Sequence, residues 1–253
     1  MLLDISGLTK HFGGLIAISQ LDMCINEGEM LGLIGPNGAG KTTIFNLITG
    51  VLKPTKGKIR FDGVDITGNK PHVIAKLGIG RTFQLNPLFP DFTVLENVSA
   101  SFQLRPKSSL IDTYFYTNTY RRNEEQILSE SLEILRMLGL DKVKDDMARN
   151  LPHGYQKMLG MARALATKPK LLLLDEPIAG MTAEEVDITL ATIKKIQTGG
   201  VTVLLVEHNM QILDLCDKVT VINFGQKIAE GLPNEVRENK EVIRAYFGRE
   251  YVT

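Results

Sequence analysis

The chain has 253 residues, of which 43% are hydrophobic, and its 29 basic and 29 acidic side chains give zero formal net charge. This length allows one large domain, with or without an inserted subdomain. The balanced charge argues against a nucleic-acid partner. The longest apolar runs, residues 171–174 and 201–206, are too short to span a membrane.

Cysteine usage and the N-terminal sequence indicate the compartment. Cys24 and Cys216 lie far apart and form no C-x-x-C pair, so we expect two buried, reduced thiols and neither a disulfide nor a metal site. Asp4 falls where a signal peptide would have its apolar core. We therefore expect a cytosolic chain that reaches a membrane only through a partner.

The first 34 residues are predicted to be rich in β-strands. Leu21, Met23 and Ile25 recur at every second position, which is typical of a half-buried strand. Residues 30–34 are an apolar run that predicts a further strand. Phe12 stands beside two glycines at a loop edge, where it either packs in the core or stacks on a base, and the local sequence favours core packing.

Residues 35–43, the phosphate loop, match the pattern G-x-x-x-x-G-K-[ST] at every fixed position. Glycines let backbone N–H groups turn toward an anion, and a helix starting near Lys41 points the positive end of its dipole at the same place. Lys41 supplies a charge for the β- and γ-phosphates, and the Thr42 hydroxyl is placed to hold Mg²⁺. The predicted nucleoside triphosphate site consists of Gly35, Pro36, Asn37, Gly38, Ala39, Gly40, Lys41, Thr42 and Thr43.

The segment after the phosphate loop is predicted to begin with a helix and a hairpin. The helix through residues 44–48 should stop at Gly50, and Asp62-Gly63 between apolar residues predicts a tight turn. Residues 79–84 predict a short strand, and the two prolines in residues 85–92 predict an irregular loop.

Helical spacing of apolar residues then predicts a helical insertion over residues 93–160, with a polar and aromatic surface excursion at about 104–123. Buried strands follow at 171–175 and 201–206, separated by a helix at 183–196. Short apolar runs separated by helices indicate a parallel sheet covered on both faces. The chain is predicted to close with a hairpin about Gly225, over residues 219–229, and a last helix over residues 235–247.

Polar residues follow the apolar strands at positions suited to phosphate chemistry. Asp175 is placed to reach the Mg²⁺ that Thr42 holds, and Glu176 to orient or deprotonate an attacking water. Because parallel strands end at one edge of a sheet, His208 should lie near Asp175. Gln84, also at a strand end, is a candidate for sensing the metal or the water.

The order of these segments resembles an ABC transporter ATPase subunit over essentially the whole chain. The resemblance rests on the phosphate loop, Gln84, the helical insertion, the signature segment at residues 151–156 (Leu-Pro-His-Gly-Tyr-Gln), Leu174-Asp175-Glu176 and His208. It implies an α/β P-loop NTPase fold with a mostly parallel core sheet, an antiparallel β-subdomain and an inserted helical subdomain. Residues 1–253 would form one domain, with 1–92 and 161–253 as the nucleotide-binding core and 93–160 as the helical subdomain.

The same resemblance implies that two such subunits close face to face on ATP. Each ATP would lie between the phosphate loop of one subunit and the signature segment of the other, where Gly154 acts in trans. Phe12 would stack on adenine, and Gln84 would touch the metal and link it to the membrane partner. Asp175 would support Mg²⁺, Glu176 would be the base, and His208 would contact the γ-phosphate and the attacking water.

Four stretches are similar to the longer ATPase subunit of branched-chain amino acid importers: residues 81–84, the surface excursion, residues 176–181 and residues 245–248. The resemblance implies a subunit that uses ATP and Mg²⁺ on the cytoplasmic face of the cell membrane, attached through integral-membrane permease subunits. It would pair with a second, different ATPase subunit or with itself. A periplasmic or extracellular binding protein would be an indirect partner.

Two departures from the family pattern bear on this pairing. The usual signature is Leu-Ser-Gly-Gly-Gln, whereas Pro152 removes a serine hydroxyl and a backbone N–H. Losing one charge-assisted hydrogen bond costs about 1.5–3 kcal/mol. The second departure is Gly180-Met181-Thr182, where many relatives have an aspartate. We therefore expect a heterodimer with two unequal sites, in which the site built on this chain's phosphate loop and the partner's signature is the stronger.

Other functions stay open from the sequence. Within transport, the alternatives are a related importer for urea or short amides and a lipid-exporting complex. A different class, ABC ATPases that act on nucleic acid or ribosomes, usually has coiled-coil arms, fused ATPase domains or basic surfaces, which this sequence lacks. A protein that binds nucleotide without hydrolysis is disfavoured by Glu176 and His208 and kept open by the altered signature.

Overall fold

The computed structural model describes residues 1–82, 87–102, 114, 117–207 and 210–247, and the chain divides into two compact units. The first unit comprises residues 1–79, 170–176 and 193–253. The second comprises residues 80–169 and 177–192.

The first unit contains an antiparallel sheet with the strand order β2-β1-β4-β5. Its strands are β1 (Leu3–Phe12), β2 (Leu15–Ile25), β4 (Lys56–Phe61) and β5 (Val64–Asp65). Leu21, Met23 and Ile25 are buried, as the alternation in β2 predicts. Asp62 and Gly63 join β4 to β5 with φ of 50° and 76°, the left-handed pair that a two-residue hairpin needs, so the predicted turn is confirmed.

The second sheet of this unit has the order β10-β9-β3-β8-β7-β6. Five of its strands belong to this unit: β3 (Met30–Ile34), β7 (Leu171–Asp175), β8 (Thr202–Glu207), β9 (Lys218–Asn223) and β10 (Gln226–Gly231). The sixth strand, β6 (Ile79–Arg81), has only its first residue in this unit. Strands β9, β3, β8 and β7 are parallel neighbours, and β3, β7 and β8 are buried along their whole length. The parallel core sheet and the closing hairpin are confirmed.

Register brings the ends of three of these strands to one edge of the sheet. Ile34 in β3 pairs with Glu207 in β8, and Asp175 in β7 pairs with Val206. The phosphate loop begins directly after Ile34, so the sheet delivers it and two acidic residues to the same edge.

The helices of the first unit are α1 (Lys41–Ile48), α2 (Pro71–Leu77), α7 (Pro233–Glu238) and α8 (Lys240–Phe247), with a 3₁₀ turn at Met210–Leu215. The single last helix predicted over residues 235–247 is wrong. Asn239 breaks it with extended backbone, φ −69° and ψ 119°. Its Oδ1 accepts hydrogen bonds from the Glu241 and Val242 amides at 2.8 and 3.4 Å and so caps the start of α8.

The second unit contains α3 (Val94–Ser101), α4 (Asn118–Met137), α5 (His153–Ala166) and α6 (Ala183–Thr198, which belongs to it as far as Thr192), with 3₁₀ turns at Asp141–Val143 and Ala148–Asn150. The Thr117 hydroxyl caps α4 by accepting from the Tyr120 amide. Residues 118–123, the last part of the surface excursion predicted at 104–123, are therefore helix. Of its other residues, 104–113 and 115–116 lie outside the described part.

A buried asparagine organises the irregular stretch before α3. Asn97 is fully buried, and its Oδ1 accepts from the Phe89 amide at 2.9 Å. Its Nδ2 donates to the carbonyls of Phe89 and Thr93, each at 3.0 Å. One side chain thus satisfies backbone groups that a loop without regular structure would leave unpaired. Residues 87–92 have neither helix nor strand, as predicted.

The two cysteines are free thiols. Cys216 is buried as expected, and burial raises the pKa of its thiol to about 12. Cys24 is only partly buried because it lies on the less covered face of β2.

Candidate active site

The phosphate loop connects β3 to α1 and takes its shape from close packing. Gly40 has φ 109°, and a Cβ there would meet Ile18 Cδ1 at 2.6 Å and the Ala17 carbonyl oxygen at 3.1 Å. Only glycine fits this backbone and this space. Asn37 and Gly38 are exposed, so the outer part of the loop is open to a ligand.

Lys41, the first residue of α1, turns its side chain back into the loop. Its Nζ donates to the carbonyl oxygens of Gly35 at 2.6 Å and Pro36 at 3.1 Å. Burial lowers the pKa of Lys41, while the charges of Glu176, Glu207 and Asp175 oppose the shift. A buried ammonium that two carbonyl oxygens hold can exchange them for phosphate oxygens without moving into water.

Acidic residues end the two strands beside the loop. Asp175, the last residue of β7, is buried, and Glu176 follows it with φ 47°, a conformation that non-glycine residues rarely adopt. The Glu176 amide donates to the Val206 carbonyl at 3.0 Å, which holds this strained residue at the sheet edge. Such strain costs about 1–3 kcal/mol and persists where the surroundings fix it, often at active sites.

Glu207 is the acidic residue that the sequence did not single out. It ends β8, is 1% exposed, and its charge acts on Lys41. The available signal was an acid directly after the apolar residues 203–206, the same pattern that identified Asp175.

The residues present suit Mg²⁺. Thr42 is exposed on the first turn of α1, and Asp175 supplies a carboxylate at the neighbouring strand end. Both are oxygen ligands of the kind that Mg²⁺ prefers. Within the described ranges no group of three or more His, Cys, Asp or Glu side chains could hold a metal ion.

Phe12 is 45% exposed at the end of β1, so the expectation of core packing is wrong. It pairs with Leu15 across the tip of the β1–β2 hairpin. The Lys10 ammonium lies 5.0 Å from the ring centroid. Two other candidates, Gln84 and His208, lie outside the described residues.

The signature segment belongs to the second unit and starts α5. Pro152 is the N-cap and α5 begins at His153. Gly154 is buried, and a Cβ there would collide with the Glu185 carboxylate. That carboxylate accepts from the Thr182 amide at 2.8 Å and from its hydroxyl at 3.0 Å; these bonds, and then the charge of His153, lower the pKa of Glu185. The Glu185 side chain, near the start of α6, therefore occupies the space that a Cβ at position 154 would need.

Comparison with known proteins identifies the family. The ABC transporter family model matches residues 18–179, and a branched-chain amino acid ATP-binding cassette transporter model matches residues 226–252. The chain belongs to the ABC transporter family. The family prediction, the α/β P-loop NTPase fold and the ATPase activity are thereby confirmed, while the role of each site residue stays a prediction.

Curated relatives match this ABC ATPase over almost its full length. It is 39% identical to the high-affinity branched-chain amino acid transport ATP-binding protein BraF of Pseudomonas aeruginosa, with 98% of each chain covered. It is 38% identical to the corresponding LivG protein of Escherichia coli, again with 98% of each chain covered.

Solved structures give the same picture. A nucleotide-free ATP-binding cassette from an ABC transporter has a TM-score of 0.84 and 33% identity, covering 98% of this ABC ATPase and 99% of that chain. A dimeric cassette in a post-hydrolysis state bound to ADP and Pi has a TM-score of 0.78 and 25% identity, covering 92% and 99%. None of the helices described for this ABC ATPase is long and apolar enough to cross a membrane.

Proposed function

We propose that this ABC ATPase energises the import of branched-chain amino acids. The observation that carries the proposal is the match of residues 226–252 to the model for branched-chain amino acid cassettes, together with 38–39% identity to transport proteins of that name. In this proposal the chain is peripheral to the membrane, held by permease subunits. A binding protein on the other side supplies the amino acid.

At the site, loop amides and Lys41 bind the phosphates of ATP. Thr42 and Asp175 hold Mg²⁺, which supplies charge neutralisation when bound. Glu176 takes a proton from the attacking water or orients it, and the strained backbone of Glu176 keeps the carboxylate in place. Phe12 stacks on the base, which its exposure permits. His208 and Gln84 complete the site as γ-phosphate and metal contacts.

ATP also joins two subunits in this proposal. Residues 1–253 form one ATPase domain with residues 93–160 as its helical subdomain, and Gly154 faces the ATP of the partner subunit. A dimeric cassette bound to ADP and Pi supports the pairing. Because Pro152 lacks the usual hydroxyl and amide, the partner is a second, different ATPase subunit, and the two sites are unequal.

An uptake experiment tests the proposal. Cells lacking this chain are complemented with wild type, Glu176→Gln or the exposed control Glu27→Gln, and the uptake of labelled leucine, urea and acetamide is measured. We expect wild type and Glu27→Gln to restore leucine uptake. Glu176→Gln should not, because loss of a general base costs about 10²–10⁴-fold in rate. Restoration of urea or acetamide uptake instead of leucine uptake would contradict the proposed substrate class.

A further inference from the structure

Phe224 occupies a position in the β9–β10 turn that is unfavourable for a large side chain. Phe224 and Gly225 lie between the paired residues Asn223 and Gln226 and have φ of 45° and 76°. This two-residue turn favours Asn-Gly or Asp-Gly, because short polar side chains tolerate a positive φ better than bulky ones do. Phe224 is also 86% exposed, so burial does not compensate for the strained backbone.

The β4–β5 turn has nearly the same backbone and a residue that suits it. Asp62 and Gly63 have φ of 50° and 76° and lie between the paired residues Phe61 and Val64. The same kind of turn thus forms in this unit with an aspartate at its first position. The phenylalanine at position 224 is therefore not required for the hairpin to form, and its ring points to a role outside the folding of the chain.

The β9–β10 turn lies directly against the phosphate loop. The Gly225 amide donates to the Ala39 carbonyl at 2.9 Å, and the Gly225 carbonyl accepts from the Ser19 amide of β2 at 2.9 Å. The Gly225 Cα lies 3.8 Å from the position that a Cβ on Gly40 would occupy. These contacts hold Phe224 at the border of the phosphate loop.

Two more exposed apolar side chains lie next to this turn. Leu15 and Ile16 begin β2 and are 66% and 53% exposed. The next residue, Ala17, packs so closely on Gly225 that a Cβ at Gly225 would collide with the Ala17 carbonyl. We call Leu15, Ile16 and Phe224 the apolar rim. Exposed apolar surface without charged side chains is typical of the central part of a protein interface.

We propose that the apolar rim is a contact surface for the second ATPase subunit, and that Phe224 enters an apolar pocket of that subunit when ATP joins the two chains. This inference rests on the proposed function, in which the partner subunit covers the ATP bound to the phosphate loop. Because the hydrogen bond from Gly225 to Ala39 ties the rim to that loop, a partner that closes over the ATP also reaches the rim. Burying an aromatic ring in this contact leaves no charge without a partner.

Phe224→Asn tests the inference because asparagine suits the turn and lacks the ring. The substitution is combined with Glu176→Gln, and the Kd of the dimer with the second ATPase subunit is measured by sedimentation velocity with ATP and Mg²⁺. We expect this Kd to rise about ten- to thirtyfold, as for an aromatic residue in the centre of an interface. The melting temperature of the chain alone should stay the same or rise, because the turn loses its strained residue.

Val64→Thr in the Glu176→Gln background is the matched control. Val64 is 49% exposed on β5, which lies at the opposite edge of the antiparallel sheet from β2. This substitution also removes exposed apolar surface, but far along the sheet from the phosphate loop. It should change neither the Kd of the dimer nor the melting temperature.

ATP binding by the chain alone, measured by calorimetry, separates a contact with the partner from a contact with the nucleotide. We expect the same ATP affinity with and without Phe224→Asn. Weaker ATP binding by the chain alone would mean that the ring contacts the base, and an unchanged Kd of the dimer would place the rim outside the interface. Either result would overturn the inference, as would a lower melting temperature that accompanies the weaker pairing. Failure of Glu176→Gln itself to pair with the second subunit would instead contradict the proposed function on which the inference rests.

Discussion

Lys41 shows how single residues define the phosphate site. Its burial lowers the pKa, and the charges of Glu176, Glu207 and Asp175 oppose this shift. Two backbone carbonyls hold the ammonium. In the proposed mechanism, phosphate binding replaces the carbonyl oxygens around Lys41 with phosphate oxygens, while the charged side chains of the site stay where they are.

Gly154→Ala tests the packing of the signature segment. The new Cβ would collide with the Glu185 carboxylate and disturb its hydrogen bonds to Thr182. Because these atoms are the far end of a flexible side chain that can turn aside, the cost is that of weakening its hydrogen bonds to Thr182, about 0.5–1.5 kcal/mol, and a melting temperature lower by roughly 1–5 °C is expected in calorimetry. Gly14→Ala, where a Cβ meets open space, is the control. An unchanged melting temperature in Gly154→Ala would show that the Glu185 side chain can move aside without lowering the stability of the protein.

At the residue scale, the candidate site residues that belong to a short local pattern can be predicted from the sequence. The phosphate loop follows from a spacing rule, and Asp175 and Glu176 from their place after a buried strand. The exposure of Phe12 and the burial of Glu207 could not be predicted from the sequence, because both depend on which strands and layers cover these two side chains in the fold.

At the element scale, cap residues explain where prediction and structure differ. Strands β3, β7 and β8 are continuous apolar runs, so their positions are predicted within a residue or two. Asn239 and Thr117 each start a helix through one side-chain oxygen, and a single such residue is a weak signal inside an otherwise helical pattern. For this reason residues 235–247 were predicted as one helix and the break at Asn239 was missed.

Asn239→Ala tests the break between α7 and α8. Loss of the cap should destabilise the protein by about 0.5–2 kcal/mol, measured by urea denaturation, because the Glu241 and Val242 amides lose their acceptor. Asn239→Asp keeps the acceptor and should match wild type in this measurement. Stability equal to wild type in Asn239→Ala would mean that the cap contributes nothing.

At the scale of the whole molecule, the two units contain different functional segments. The first unit holds the phosphate loop, the acids and the C-terminal helices, and the second holds the signature segment. In the proposed mechanism ATP joins the first unit of one subunit to the second unit of another. Closure by ATP requires that the ligand bind the closed pair more tightly than the open one, and contacts from both subunits supply that difference.

The state of association with ATP tests this account most directly. Glu176→Gln is sized by sedimentation velocity with ATP and Mg²⁺, alone and mixed with the second ATPase subunit of the importer, with ADP as control. The account predicts that this chain binds ATP and stays monomeric alone, and that a dimer forms in the mixture with ATP and not with ADP. A homodimer of this chain with ATP would contradict the unequal pairing, and no dimer in either sample would contradict the shared ATP site.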